Sequence, residues 1–105
     1  MERLFKPKYI IAFPSSIYLI AKYIKNHNLQ SQVPKLSAIL LASENAYSWQ
    51  REMLEEVFRC RTFSHYGHSE MVLLGMECED SHSLHFFPEY GYLELLDNHN
   101  QVVTQ

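Results

Sequence analysis

The chain is poor in the residues that make loops and cross-links. It has three glycines, four prolines, two cysteines and one tryptophan in 105 residues. Three glycines exclude a typical Gly-rich phosphate-binding loop, whose successive main-chain N–H groups need several positions without a Cβ. Two cysteines, Cys60 and Cys78, are too few for a disulfide scaffold, and reduced thiols are the expectation. Basic residues are outnumbered, nine against twelve acidic, for a net charge of -3. Without a basic patch, a nucleic-acid partner has no electrostatic footprint. No apolar run approaches the ~18 residues of a membrane-spanning helix. The most apolar stretch, Tyr9 to Ala21, is broken by Pro14-Ser15-Ser16. Met1-Glu2-Arg3-Leu4-Phe5-Lys6 lacks the apolar core of a signal peptide. These absences lead to the expectation of a cytoplasmic protein with neither a membrane nor a nucleic acid as partner.

What is present is an ordinary globular composition, 47% hydrophobic and 20% charged, with a high aromatic share of 13%. The length supports one domain at most. After a lead-in of residues 1–8, Tyr9-Ile10-Ile11-Ala12-Phe13 reads as a strand buried on both faces. Pro14-Ser15-Ser16 opens a helix whose stripe is Ile17, Ile20, Ala21 and Ile24, and Asn26-His27-Asn28 closes it. Leu29 to Lys35 is a polar connection. Leu36 to Ala42 reads as a second buried strand, running into the turn Ser43-Glu44-Asn45. Ser48 suits a helix N-cap, followed by a stripe of Trp49, Met53, Val57 and Phe58. Arg61-Thr62-Phe63 is a third strand. Met71 to Cys78 and His85 to Leu96 read as further strands with no helix between them, joined by Glu79 to Ser83, and Asp97 to Asn100 is a turn. The expected fold is α/β: a β-α-β-α-β fragment of a three-layer αβα-type parallel sheet, followed by antiparallel strands. Residues 1–105 would then form a single partial domain.

The chemistry concentrates in Ser64-His65-Tyr66-Gly67-His68-Ser69-Glu70. Ligands in open α/β sheets bind outside the carboxyl ends of the strands. A ring there can stack on a base, a hydroxyl can bond a phosphate, and a carboxylate is a hard oxygen ligand for Mg²⁺. Gly67 permits close backbone approach or a positive φ. The same residues also suit a plain turn with a buried tyrosine and a solvated glutamate.

Tyr66-Gly67-His68-Ser69-Glu70 resembles the Tyr-Gly-x-Thr-Glu motif of adenylate-forming enzymes, the acyl-CoA synthetase and ligase superfamily. Glu77-Cys78-Glu79, Leu84-His85 and Glu89 to Asp97 are similar to the phenylacetate-CoA ligase branch, which includes capsule-biosynthesis and coenzyme-adenylating relatives. Ala42-Ser43-Glu44 resembles that family's turn before a helix. The resemblance spans about residues 9 to 97. It implies that Tyr66 packs on the adenine of ATP or AMP and that Gly67 lies close to the nucleotide. Ser69, in place of the family threonine, would bond the α-phosphate, and Glu70 would help hold Mg²⁺. Ser43 and Glu44 would lie on the adenine side through main-chain groups. Ser64 stands where the family has Asn or Asp against the adenine edge. His65 and His68 would face an acyl pocket. The implied reaction joins a carboxylic acid to a thiol, with coenzyme A the common acceptor, through an acyl-adenylate.

The family's phosphate loop, ribose-binding aspartate and C-terminal lysine domain have no counterparts here. The chain therefore resembles an internal slice of a longer ligase, with the remainder of that ligase as its partner, and is not expected to ligate alone. The reading from another class is a truncated, non-catalytic module acting by association. A slice of a larger fold should expose apolar surface and form homo-oligomers. Cys60, Cys78, His82 and His85 offer a partial zinc-like spacing, Cys78-x-x-x-His82-x-x-His85, without paired knuckles, so buried cysteines and surface histidines are the expectation instead. Neither cysteine has the neighbours of a hydrolase nucleophile. Phe86 to Tyr92 has no basic neighbours to make it a nucleic-acid stacking platform.

Overall fold

A computed structural model describes residues 5–103. Met1 to Leu4 of the lead-in, with most of the segment compared to a signal peptide, and Thr104-Gln105 lie outside the described residues. The chain is mixed α/β. Strand β1 (Tyr9–Ala12) leads to helix α1 (Pro14–Asn26) and, after a 3₁₀ turn at Gln30–Gln32, to β2 (Ala38–Leu41). Helix α2 (Ser48–Phe58) then precedes β3 (Arg61–Gly67), β4 (Leu74–Met76) and β5 (His85–Phe86). The five strands form one sheet in sequence order. β1, β2 and β3 are parallel, whereas β4 and β5 are antiparallel to their neighbours.

The helix boundaries have local causes. Pro14 occupies the first turn of α1, where its missing N–H has no partner to lose and its φ suits the helix. At the other end Asn28 takes a left-handed φ of 54°. Its N–H reaches Lys25 O and that of Leu29 reaches Ile24 O at 2.9 Å, the paired bonds of a Schellman turn. Tyr47, not the predicted Ser48, caps α2. The reason is Gln50, whose buried Oε1 accepts the Tyr47 N–H at 3.1 Å and so starts the helix one residue earlier. Arg59, with φ 54°, ends α2.

The core lies between the helices and the sheet. Ile17 and Ala21 of α1, Ile39 and Leu41 of β2, and Leu54, Val57 and Phe58 of α2 are buried together with Leu36. Strand register explains the sharing: Ile10, Ile39 and Thr62 are aligned, as are Ala12, Leu41 and Ser64, on the helix side. Both predicted helical stripes are off by one position in part. Ile20 is half-exposed, and α1 buries Ile17 and Ala21 with Ile24 partly covered. Trp49 is also half-exposed, and α2 buries positions 50, 54, 57 and 58. Trp49 packs edge-on against Tyr18, ring centres 4.9 Å apart, instead of entering the core.

The described residues supply two of the three expected layers. α1 and α2 pack on each other, with Lys25 Nζ 2.9 Å from Glu56 Oε2. The opposite sheet face carries Ile11, Leu40, Phe63, Leu74 and Met76 around an apolar groove. The late strands are shorter than predicted. Met71, at φ 57°, donates its N–H to His68 O and delays β4 until Leu74. Pro88 has no N–H for a ladder, and Tyr90 turns back onto Phe87 O, so β5 stops at Phe86. The predicted turn at Asp97 to Asn100 is present and closes an isolated bridge between Leu96 and Val102. Asp97 Oδ1 accepts the N–H groups of His99 and Gln101.

Candidate functional site

The carboxyl ends of β2 and β3 lie side by side because both crossovers run in the same direction, pairing Leu41 with Ser64. Just beyond them is a cleft of about 490 Å³, within the usual size of a small-molecule site. Ser43, Glu44, Asn45 and Ala46 line one wall. Ser64, His65, Tyr66 and Gly67 line the other, and Leu84 closes it. Five of the seven predicted site residues therefore share one cleft.

Ser43 turns the chain off β2 with a left-handed φ of 64°. Glu44 folds back over α1: its two carboxylate oxygens accept the Ser15 N–H at 3.0 Å and the Ser15 Oγ–H at 2.9 Å. A carboxylate at a helix N-terminus satisfies orphan N–H groups and the positive end of the helix dipole. The Glu44 side chain is thus engaged by Ser15. Tyr66 is half-exposed and packs edge-on against Phe86, ring centres 6.1 Å apart.

β3 is longer than predicted. Its parallel pairing ends at Ser64, but His65, Tyr66 and Gly67 continue in antiparallel register with β4. Gly67 does not use a positive φ, and a Cβ there would meet the Leu74 side chain at an ordinary 3.5 Å. The turn after Gly67 carries Ser69 and Glu70 away from the first cleft. Ser69 lines an adjoining cleft of about 320 Å³ with Ser43, His65, Gly67, His68 and Tyr90. Glu70 lines neither cleft. Its side chain is 85% exposed, with His68 Nδ1 at 4.0 Å. As a Mg²⁺ ligand it suits an ion that keeps waters and phosphate oxygens around one carboxylate.

Sequence reading singled out Glu77 only as part of the Glu77-Cys78-Glu79 resemblance and missed the polar network it centres among the described residues. Glu77, with a side chain only 4% exposed, receives Arg51 in a two-point grip, Nη2 to Oε1 at 2.6 Å and Nη1 to Oε2 at 3.0 Å. Its Oε2 also accepts the Ser64 N–H at 3.0 Å. His82 Nδ1 lies 3.2 Å from that oxygen and 3.0 Å from Arg51 Nη1. One nitrogen cannot donate to Glu77 and accept from Arg51 at once, so proton placement on His82 chooses between them. Burial pushes the Glu77 carboxyl up, but hydrogen bonds from Arg51, Ser64 and His82 and the Arg51 charge outweigh it and hold it below the usual carboxylate range. Arg51 and Glu77 are 26 positions apart, and no local pattern links them.

A second anchor joins α2 to β3. Glu55 Oε1 accepts both the N–H and the Oγ–H of fully buried Thr62 at 2.9 Å. Burial and the nearby Glu55 charge push the Cys60 thiol up. Among the described residues no group of three or more His, Cys, Asp or Glu side chains is placed to hold a metal ion. His82 of the zinc-like spacing is engaged by Glu77 and Arg51 instead. No helix among the described residues is long and apolar enough to cross a membrane. No protein-family model matches the chain, and no curated protein matches it.

Proposed function

We propose that the cleft at the ends of β2 and β3 binds a nucleotide, ATP or AMP. The chain would then be the nucleotide-binding part of an AMP-forming acid–thiol ligase of the phenylacetate-CoA ligase type. One observation carries the reading. The Ser43-Glu44 turn and the Ser64-to-Gly67 stretch are some twenty residues apart in sequence yet face each other across one cleft, where an α/β sheet binds its ligands. Tyr66 offers a half-exposed ring for the adenine. Ser69, in the adjoining cleft, offers a hydroxyl for the α-phosphate. Glu70 would hold Mg²⁺, which supplies charge neutralisation on the phosphates. In the overall reaction a carboxylate attacks the α-phosphorus of ATP and pyrophosphate leaves. A thiol, such as that of coenzyme A, then takes the acyl group and AMP departs. The remainder of such a ligase supplies the phosphate loop and lysine.

Calorimetric or NMR titration with ATP and AMP, with and without Mg²⁺, tests this. Binding that disappears in Tyr66→Ala is the expected result. A folded protein that binds neither nucleotide at millimolar concentration overturns it.

A second reading, a non-catalytic association module, is favoured by the bare apolar sheet face. Ile11, at 72% exposure, can be changed without touching the core. Concentration-dependent association in light scattering, reduced by Ile11→Glu, supports this reading, and a monomer at high concentration removes it.

A further inference from the structure

We infer that Glu77 is a positioning residue for the cleft, joining three of the stretches that line it. The inference rests on the nucleotide reading only for its choice of probe. Three stretches that line the cleft adjoin residues bonded to Glu77, while Ser43 and Glu44 are held separately through Ser15. The first is Ser64, gripped at both main-chain groups: its N–H donates to Glu77 Oε2 at 3.0 Å, and its carbonyl accepts the Glu77 N–H at 3.2 Å. The second is Asn45-Ala46, which leads directly into α2, and α2 is fastened by the two-point bond of Arg51 to Glu77. The third is Leu84, two residues after His82, whose Nδ1 touches Glu77 Oε2.

One main-chain bond, Glu77 N–H to Ser64 O, continues the β3–β4 register, and the Glu77 side chain supplies the other links. Among the described residues, β3 and β4 pair only between positions 65–67 and 74–76, and β5 has two residues. The start of the 77–84 loop is also held to β3 by Arg61, whose guanidinium donates to the Cys78 and Glu79 carbonyls, and the Glu77 carboxylate adds the links to Arg51 of α2 and to His82. A buried carboxylate with four donors available is a rigid node, because every donor is drawn to the same two oxygens. A neutral amide at position 77 has no charge and one accepting oxygen, so it can keep Ser64 and Arg51 Nη1 on that oxygen but loses the second arm of the grip, where Arg51 Nη2 would meet an NH₂ group instead of Oε1.

The test uses the full ¹⁵N-labelled chain as wild type, Glu77→Gln and His82→Ala. Without ligand, both substitutions should shift the amide signals of Ser64, Ala46 and Leu84 together. With Mg²⁺ and AMP as the probe, Glu77→Gln should bind roughly tenfold more weakly, the scale of one lost charged contact. His82→Ala should show a smaller loss. His82 is 57% exposed in its side chain, so this variant carries the test if Glu77→Gln does not fold. Val57→Ala, a core truncation in the same helix, separates positioning from stability: it should lower the melting temperature and leave the AMP affinity of the folded protein unchanged. Shifts confined to residues 76–83, with Ala46 and Leu84 unmoved, overturn the inference. So does an AMP affinity that falls as far in Val57→Ala as in Glu77→Gln. If wild type binds no AMP, the nucleotide reading fails, and the ligand-free amide shifts still decide the role of Glu77.

Discussion

Ser15 and Glu44, 29 positions apart, meet where α1 begins: one serine gives both its N–H and its hydroxyl proton to one carboxylate. The contact ties the turn after β2 to the first turn of α1. Glu44→Ala should destabilise the fold by about 0.5–1 kcal/mol in urea titrations, the usual worth of an anion at a helix N-terminus. Ser15→Ala should lose less, because the main-chain N–H remains. Amide exchange should quicken at Asn45 and Ala46 in the Glu44 variant.

Acidification should act through Glu77. Its carboxyl lies below the ordinary range when folded. Its stabilisation is therefore complete above the unfolded carboxylate pKa and is lost as pH falls through the folded value. Unfolding free energy measured against pH should drop on the acid side, and Glu77→Gln should flatten that drop. Arg51→Ala should cost about 3–5 kcal/mol at neutral pH, since it strands a buried carboxylate, and less in acid, where that carboxylate takes up a proton.

Two glycines sit where a side chain has no room. A Cβ on Gly75 would lie 2.7 Å from the Phe86 ring, and one on Gly91 would run into the Val72 carbonyl oxygen. Gly75→Ala should destabilise by about 1–3 kcal/mol and disturb Tyr66 through Phe86. Gly91→Ala should be worse, because main chain must move. Gly67→Ala should be near neutral in thermal unfolding.

Thr62→Val keeps shape and removes the hydroxyl that Glu55 accepts. The loss should be about 1–2 kcal/mol by urea unfolding. Cys60 should react with a thiol reagent more slowly than an unhindered cysteine, since the thiolate is the reactive form. Glu55→Gln should speed that reaction by removing the charge that raises the Cys60 pKa.

Much of the early chain was legible from short-range pattern. The apolar run Tyr9 to Ala12 forms a strand, though Tyr9 and Ile11 lie exposed on the open sheet face and the expected burial on both faces is not met; the proline at the start of α1 and Asn28 at its end act within a few residues. The late strands were less so. Met71 to Cys78 is as apolar as a strand, but a left-handed Met71 and the turn from His68 use up its beginning. Trp49 and Ile20 look like core by composition and lie outside it, since the depth of a helix face depends on what it packs against.

The site divides the same way. Tyr66, Gly67, Ser69 and Glu70 stand out because they are consecutive and chemically unlike their surroundings. That Ser43 and Glu44 face Tyr66, while Glu70 points elsewhere, follows from β3 continuing past the end of its parallel pairing. Glu77 stands out in the sequence only within the Glu77-Cys78-Glu79 resemblance, and nothing in the linear pattern marks Arg51, Ser64 and His82 as its partners. Hydrophobic period and turn chemistry are properties of neighbouring residues. A buried carboxylate is settled only when folding brings Arg51, Ser64 and His82 within reach, because outside water its charge must be met from whichever segments arrive there.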